Sequence, residues 1–573
     1  MPAAQWNIPP SIREHLLVSS KGTERLLKMV ERLVLDLPQA EAGHEQQLIR
    51  LISDMALAAW EQSPFDLMAC GTLSQIHEQA PFLPKELAES VQRGAIPPKC
   101  GPEVMHSLDT VFHHSRAPEE ISVFLDSLQN LVPDSLFWMH FAAKFALTEN
   151  RLDWFSDFLT NQKGLPPYAR RIVQGDIFLA QGQREKAWEK YEEASSRVET
   201  PGIIIKKAEI LYTIGHRAEA IALWQRAFAS RPWDFTLALR LGDIVQERDI
   251  PSEVPQGQGA ILLYSWNHAQ DLDLALSSLA ATTPPNIPIV LLDNGSTDDT
   301  AAVSQRWKSE LRERLTLITL PVNVGAPAAR NWLLSTPIAN QSDWVVFLDD
   351  DAVVPPNWLN HFGTAMKKYP EAGVFGCQVK DMFAPQVVQS ADLHYEQPLS
   401  PLKHDAKRPH FNVSSFHAHV PDRGEHDYMR ECVSVTGCCH LITRRNLDAV
   451  GHFNLMFSPS QFDDYERDLR SGMDGFLPVY NGHLKVQHRK RSGLIKNTGR
   501  QTVANVNGNS QKARSLYPEE QMERLRLLDN NHLEMHLESC LNALMSAREE
   551  GMAQPCLESN FTTGNKNITL AAQ

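Results

Sequence analysis

The 573-residue chain is long enough for roughly three domains, and its 42% hydrophobic and 22% charged content is that of globular domains with real cores. A formal net charge of −14 argues against a general nucleic-acid or anionic-membrane binder. Eight cysteines without a C-x-x-C pair argue against a disulfide framework or a cysteine zinc site and suit a reducing compartment. The first residues carry no basic, apolar leader, and no run approaches ~18 apolar residues, so a soluble, cytoplasmic protein with no transmembrane segment is expected.

Residues 1–160 predict helices. Leu26, Leu27, Met29, Val30, Leu33 and Val34 recur at helical spacing, as do Leu48, Leu51, Ile52, Met55, Ala56 and Ala59. Over 161–250 the chain repeats itself: Gly182, Ala187, Tyr191 and Ala194 return 33 residues later as Gly215, Ala220, Trp224 and Ala227. Small residues where two helices meet, with an aromatic knob between them, resemble tetratricopeptide repeats. That resemblance implies an all-α superhelix that binds a protein partner; a spacer or dimerisation arm is the equal alternative. Residues 251–259 have linker composition.

The texture then changes. Strands are predicted at 260–265, 287–293, 315–320 and 344–348, with helices at about 269–281, 298–312 and 326–335. Such alternation implies an α/β domain, over 260–495, with a mostly parallel sheet covered on both faces. Ligands of such sheets lie beyond the carboxyl ends of the strands. A last helix is predicted at 515–550 and a polar, disordered tail at 551–573.

The apolar run Val345, Val346, Phe347, Leu348 ends in Asp349, Asp350 and Asp351. Acids gathered at a buried strand end call for something positive, most simply a divalent metal that holds a phosphate. A first strand opens into Tyr264, Ser265 and Asn267. A second ends in Asp293, followed by a Gly295-Ser296 turn and helix-capping Ser, Thr and Asp. Asn323, Gly325, Arg330 and Asn331 lie between these and the acid triplet. In this order the segments resemble the family 2 glycosyltransferases, whose nucleotide-sugar-binding fold is called GT-A. The resemblance covers about 259–490. It extends through Gly437 to Phe453, a helix start at Asp463, Asp464, Glu466 and Arg470, and a closing strand with His488. His452, Asn454 and Asp463 depart from the family pattern.

The resemblance implies roles. Asp351 and Asp349 would hold Mn2+ or Mg2+, with His488 as a further ligand and His483 as its rival. Asp293 would accept from the ring N–H of uracil or thymine, which points to a UDP- or dTDP-sugar donor. Tyr264, Ser265 and Asn267 would hold base and ribose, with Asp349 and Asp350 among the donor contacts. Asn323 would cap the helix that starts near Gly325. Arg330 would reach the diphosphate or form a structural salt bridge. Asp464, with Asp463 as runner-up, would be the general base that deprotonates the acceptor, and a direct displacement would invert the anomeric centre.

The expected protein is therefore a metal-dependent, inverting glycosyltransferase acting on a glycan, lipid-linked or protein acceptor. Its arm would recruit acceptor or partner, and a homo-oligomer through the last helix stays open. Deleting 1–250 should then spare donor hydrolysis. The alternative is a repeat scaffold with a degenerate transferase domain, which His452, Asn454 and Asp463 permit. The His-rich stretch between 377 and 432 (His394, His404, His410, His417, His419, His426) reads as an acceptor-binding insertion rather than a zinc site. Gln389-Ser390-Ala391-Asp392 resembles a segment of rhamnosyl-type transferases. The basic run Arg489, Lys490, Arg491, Gly493 would close over the diphosphate or form a solvated turn.

Overall fold

The computed structural model describes residues 8–39, 44–114, 117–132, 135–397, 399, 412–414, 417–490 and 500–549. The expectations for His404, His410, Arg491, Gly493 and the tail 551–573 lie outside the described residues.

From Pro10 to Val245 the described chain is helical, one amphipathic helix after another. Helix Thr23–Asp36 buries Leu26, Met29, Val30 and Leu33, and Glu45–Gln62 buries Leu48, Leu51, Ile52, Met55, Ala56 and Ala59. The repeated residues lie in two helix hairpins, Pro167–Ala180 with Arg184–Ser195 and Pro201–Thr213 with Arg217–Ser230. Ala187, Tyr191, Ala194, Ala220, Trp224 and Ala227 are all buried. The Tyr191 ring lies so close to Gly175 that a Cβ there would come within 2.4 Å of it, which explains the pairing of a small residue with an aromatic.

Strands β1 (Gly259–Ser265), β2 (Ile289–Asp293), β3 (Leu315–Thr319) and β4 (Trp344–Leu348) follow, with helices Ala269–Thr282, Thr300–Leu311 and Ala326–Leu334 between them. They form the parallel half of the sheet in the order β3-β2-β1-β4. Their near-continuous apolar sequences fit a sheet buried on both faces, and β2 and β4 are buried throughout. After the short β5 (Ala352–Val353) come β6 (Val374–Asp381), β7 (Val387–Ser390), β8 (Tyr395–Glu396) and β9 (Asn412–Val413). β10 (Val420–Pro421), β11 (Met429–Glu431), β12 (Cys439–Thr443) and β13 (Val479–His488) complete the set. β12 is inserted antiparallel between β4 and β6, and β13 runs parallel to β6. The carboxyl ends of β1, β2 and β4 and the end of β13 therefore converge on one edge of the domain.

The carboxyl-terminal part is two helices rather than the single one expected. Arg500–Leu516 precedes Glu519–Glu549, with Pro518 between them. The first is rich in Gln, Asn and Ser and carries no clear apolar stripe, so its sequence does not announce a helix.

The arm grips the sheet domain. Arg240 donates to the Gly424 carbonyl at 2.5 Å and to Glu209 at 2.7 Å, and it pairs with Asp427 at 2.9 Å. The Met429 amide donates to Asp243 at 2.5 Å. Arg430, fully buried, reaches across the interface to the carbonyls of Leu17 and Val18, both at 2.7 Å. Helix Glu519–Glu549 packs beside helix Phe235–Val245, and its Glu534 holds Arg13 in a two-pronged pair at 2.6 Å. The stretch 251–259 does not swing free either: the Ser252 amide donates to Thr364 Oγ1 at 2.8 Å, and its carbonyl accepts from Asn360 at 2.6 Å. Among the described residues no helix is long and apolar enough to cross a membrane.

Candidate active site

Asp293, at the end of β2, is buried and accepts the Ser296 amide at 3.0 Å, closing the turn that Gly295 makes possible. Asn267 takes a left-handed backbone, and its side-chain oxygen accepts the amides of Thr297 at 2.7 Å and Asp298 at 3.3 Å. That oxygen ties the first loop to the second. Asn323 accepts the Gly325 amide at 2.8 Å and the Asn294 side chain at 3.0 Å, so it sits just ahead of the helix start.

The acid triplet separates by partner. Asp350 accepts from Ser265 Oγ at 2.6 Å and faces His268 Nδ1 at 3.3 Å. That hydrogen bond, helped by the charges of Asp350 and Asp351, lifts the His268 pKa to about 9. Asp351 is buried and lies 3.1 Å from His488 Nε2, and one of its oxygens accepts the Lys490 amide at 3.1 Å. Burial opposes its ionisation, yet His488 holds its pKa below the ordinary value. Asp349 lies 3.8 Å from the same Nε2; burial, more than its acidic neighbours, pushes its pKa up. His488 is itself raised: burial works downward, and Asp351 and Asp349 outweigh it. His483, the rival, is elsewhere. Its Nε2 meets Asp243 of the arm at 3.0 Å.

The donor set fits a divalent cation. His488 Nε2 stands beside two carboxylates, and its separations of 3.1 Å from Asp351 and 3.8 Å from Asp349 are close to the ~3 Å edge of an octahedron with bonds of about 2.1 Å. The Cys438 sulfur also lies within 4.8 Å of the Asp349 and His488 donor atoms. Its thiol is buried, which pushes its pKa well up, so it is poorly suited to the hard cations this oxygen set favours.

Arg330 links this end of the site to the other. It is buried, donates to Asp463 at 2.6 Å and lies 3.5 Å from Asp349. Tyr264 and Phe453 rings stack around it at 5.6 and 5.3 Å. Its charge is thus engaged by carboxylates at both ends of the site, the arrangement of a structural salt bridge. Asp463 is buried behind it, and burial raises its pKa. Asp464, next along and at the start of helix Asp463–Met473, is only partly buried; one oxygen accepts the Gly437 amide at 2.7 Å. A Cβ at Gly437 would stand 2.6 Å from that oxygen and 3.0 Å from Arg330, so glycine is required where the loop passes. Of the two acids, Asp464 is the more exposed.

Two departures from the family pattern have local work. Asn454 caps the turn at Met456 (3.0 Å), and Asp463 holds Arg330. In the His-rich stretch, His394 is buried between Asp392 (2.8 Å) and Asp529 (3.0 Å), tying the insertion to the last helix. Four participants had no assigned role in the sequence: His268, Cys438, Gly437 and Gln389, whose amide contacts His488. All four stood in segments with family resemblance, and nothing in their spacing said what they touch.

Residues 261–419 match the sequence profile of glycosyl transferase family 2. The O-antigen biosynthesis protein RfbC of Myxococcus xanthus is 26% identical over 216 residues, 37% of this chain and 16% of that protein. The N-acetylglucosaminyl-diphospho-decaprenol L-rhamnosyltransferase of Mycobacterium tuberculosis is 23% identical over 258 residues, 43% of this chain and 79% of that protein. Among solved structures, a mannosyltransferase of Pyrobaculum calidifontis in complex with GDP-Man and Mn2+ aligns at 15% identity with a TM-score of 0.33, covering 57% of this chain and 87% of that one.

Proposed function

We propose, from the premise that residues 261–419 form a glycosyl transferase family 2 domain, that the protein moves a sugar from a UDP- or dTDP-sugar to an acceptor hydroxyl with inversion. The observation that carries the reading is the single axis of charge running from Asp351, Asp349 and His488 through Arg330 to Asp463 and Asp464. One end suits a cation and the other a base. Mn2+ or Mg2+ held by Asp351, Asp349 and His488 would offset the charge that develops on the departing diphosphate. Asp293, buried beside the turn at Ser296, would accept from the base of the nucleotide. Asp350, already joined to Ser265 and His268, would face the ribose.

Asp464 would take the proton from the attacking hydroxyl. The Gly437 amide and the start of helix Asp463–Met473 would hold that carboxylate in place for the role. Asp463 and Arg330 would hold the Asp464 helix in register with the metal end. The relatives' names suggest rhamnosyl or O-antigen chemistry, and an acceptor that is a glycan on a lipid diphosphate is the corresponding extension to this chain. We read the arm primarily as a support. Residues 422–430 of the sheet domain already occupy part of the surface that Glu209, Arg240 and Asp243 present, which leaves less of it for a partner.

The test is thermal stability against UDP, dTDP, GDP and CMP, each with Mn2+, Mg2+ or EDTA. Ligand at 100 times its Kd stabilises the folded state by about 2.7 kcal/mol. UDP or dTDP should raise Tm only with metal, and Asp351→Asn should lose the shift. No shift with any nucleotide would instead leave a scaffold with a degenerate domain.

A further inference from the structure

One side chain grips His488 twice. Gln389 Nε2 lies 3.3 Å from the His488 carbonyl oxygen, and Gln389 Oε1 lies 3.0 Å from His488 Nδ1. The orientation follows from chemistry. A carbonyl oxygen only accepts, so the amide nitrogen must face it and the amide oxygen must face the ring. An amide oxygen also only accepts, so Nδ1 must carry the hydrogen. In the neutral imidazole the lone pair is then on Nε2, the atom 3.1 Å from Asp351 and 3.8 Å from Asp349.

The backbone is shaped for this grip. β7 pairs with β6 through Val379 opposite Ser390 and Lys380 opposite Val388, so the register shifts and Gln389 falls between with no opposing residue. Such an extra residue re-aims a side chain. β13 runs along β6 as well, with His488 opposite Asp381, so the turned Gln389 spans from β7 to the end of β13. The His488 carbonyl is fixed a second time by the Met382 amide at 3.1 Å. Gln389 and His488 are both buried, which excludes water as a competing partner.

We propose that Gln389 is a positioning residue that locks His488 in its Nδ1–H tautomer and so presents the Nε2 lone pair to the divalent cation shared with Asp351 and Asp349. The proposal rests on the metal reading above. Partners of this kind, one step behind a metal ligand, are worth 10- to 100-fold in metal affinity.

The experiment measures Mn2+ affinity in the presence of UDP, by the electron paramagnetic resonance signal of free Mn2+, for the wild type, Gln389→Leu and Gln389→Glu. A 15N-histidine spectrum with Mg2+ and UDP, assigned with His488→Asn, reports which ring nitrogen carries the hydrogen. Gln389→Leu should lose about 10- to 100-fold in Mn2+ affinity. Gln389→Glu keeps an acceptor for Nδ1–H and should lose less; it decides the matter if the leucine variant fails to fold. The wild-type spectrum should show hydrogen on Nδ1, and Gln389→Leu should lose that signature. Wild-type Mn2+ affinity in a folded Gln389→Leu, or hydrogen on Nε2 in the wild type, overturns the tautomer lock and leaves the metal reading intact. A wild type that binds no Mn2+ with UDP overturns the metal reading itself and the lock with it.

Discussion

Arg430→Met should loosen the whole molecule, because this guanidinium joins the sheet domain to the first helix. It donates to Asp392 at 2.6 Å within the sheet domain and to the carbonyls of Leu17 and Val18, at 2.7 Å each, at the end of the first helix. Methionine fills a similar volume and donates nothing. Two buried carbonyls then lose a donor, at about 1–3 kcal/mol each. Asp392 loses its cation but keeps His394 at 2.8 Å and the Tyr428 hydroxyl at 3.0 Å, so the charge is not wholly stranded. The total falls at about 3–5 kcal/mol, the range for breaking a buried ion pair. The assay is urea unfolding of wild type, Arg430→Met, Asp392→Asn and the double variant. The double variant should be at least 1 kcal/mol less destabilised than the sum of the singles, since it removes both charges together. A loss below about 1 kcal/mol in Arg430→Met would refute the claim that Arg430 fastens the arm, and strict additivity would refute its coupling to Asp392.

Asp464→Asn should lower the transfer rate by about 10²–10⁴-fold while UDP affinity, measured by calorimetry, stays at the wild-type value; a near-full rate would remove Asp464 as the base. Glu209 sits buried at the arm interface, where burial raises its pKa to about 7. The folded state then holds a proton that the unfolded state releases near 4.5, so this group's contribution falls as pH rises from about 4.5 to 7. Glu209→Gln should therefore gain in urea midpoint relative to wild type between pH 5 and pH 8, and a constant difference across that range would contradict the assignment. Removing residues 1–250 should yield an aggregated or unfolded product, because Asp427, Arg430 and the face of helix Glu519–Glu549 lose their partners. A monodisperse, cooperatively melting fragment would show that the sheet domain stands alone.

That last expectation reverses the one drawn from sequence, and the reason is instructive. A Pro- and Gly-containing stretch at 251–259 looks like a flexible joint, and composition carries no information on what lies beside it. Periodic features were legible: the four parallel strands fall within two residues of their predicted limits, and the 33-residue repeat returns as two hairpins. Those signals are local, arising from alternation, helical spacing and turn chemistry. The candidate site was legible as a set of acids in the right order, because a strand that ends in Asp349, Asp350 and Asp351 is conspicuous by itself. How the acids divide their work was not. Nothing in the sequence says that Asp350 turns to Ser265 and His268 while Asp351 turns to His488. Nor does it say that Arg330 is consumed by Asp463 or that His483 belongs to the arm. Those outcomes depend on contacts between residues more than eighty positions apart, which periodicity cannot reach.

The pair between Arg13 and Glu534 joins residues 521 positions apart, and Arg526 with Glu14 joins residues 512 apart. The first and last described helices thus close on each other, and this closure orders events during synthesis. The helices before Val245 leave the ribosome first and can form on their own from near-neighbour contacts. Their inner faces stay exposed until residues 424–430 arrive, and the seam with helix Glu519–Glu549 cannot form until that helix is made. Contacts of such long sequence separation form slowly and leave apolar surface uncovered meanwhile. Chains stalled or clipped before about residue 520 would therefore be the ones that aggregate and call on chaperones, while chains that reach helix Glu519–Glu549 cover the second part of that surface.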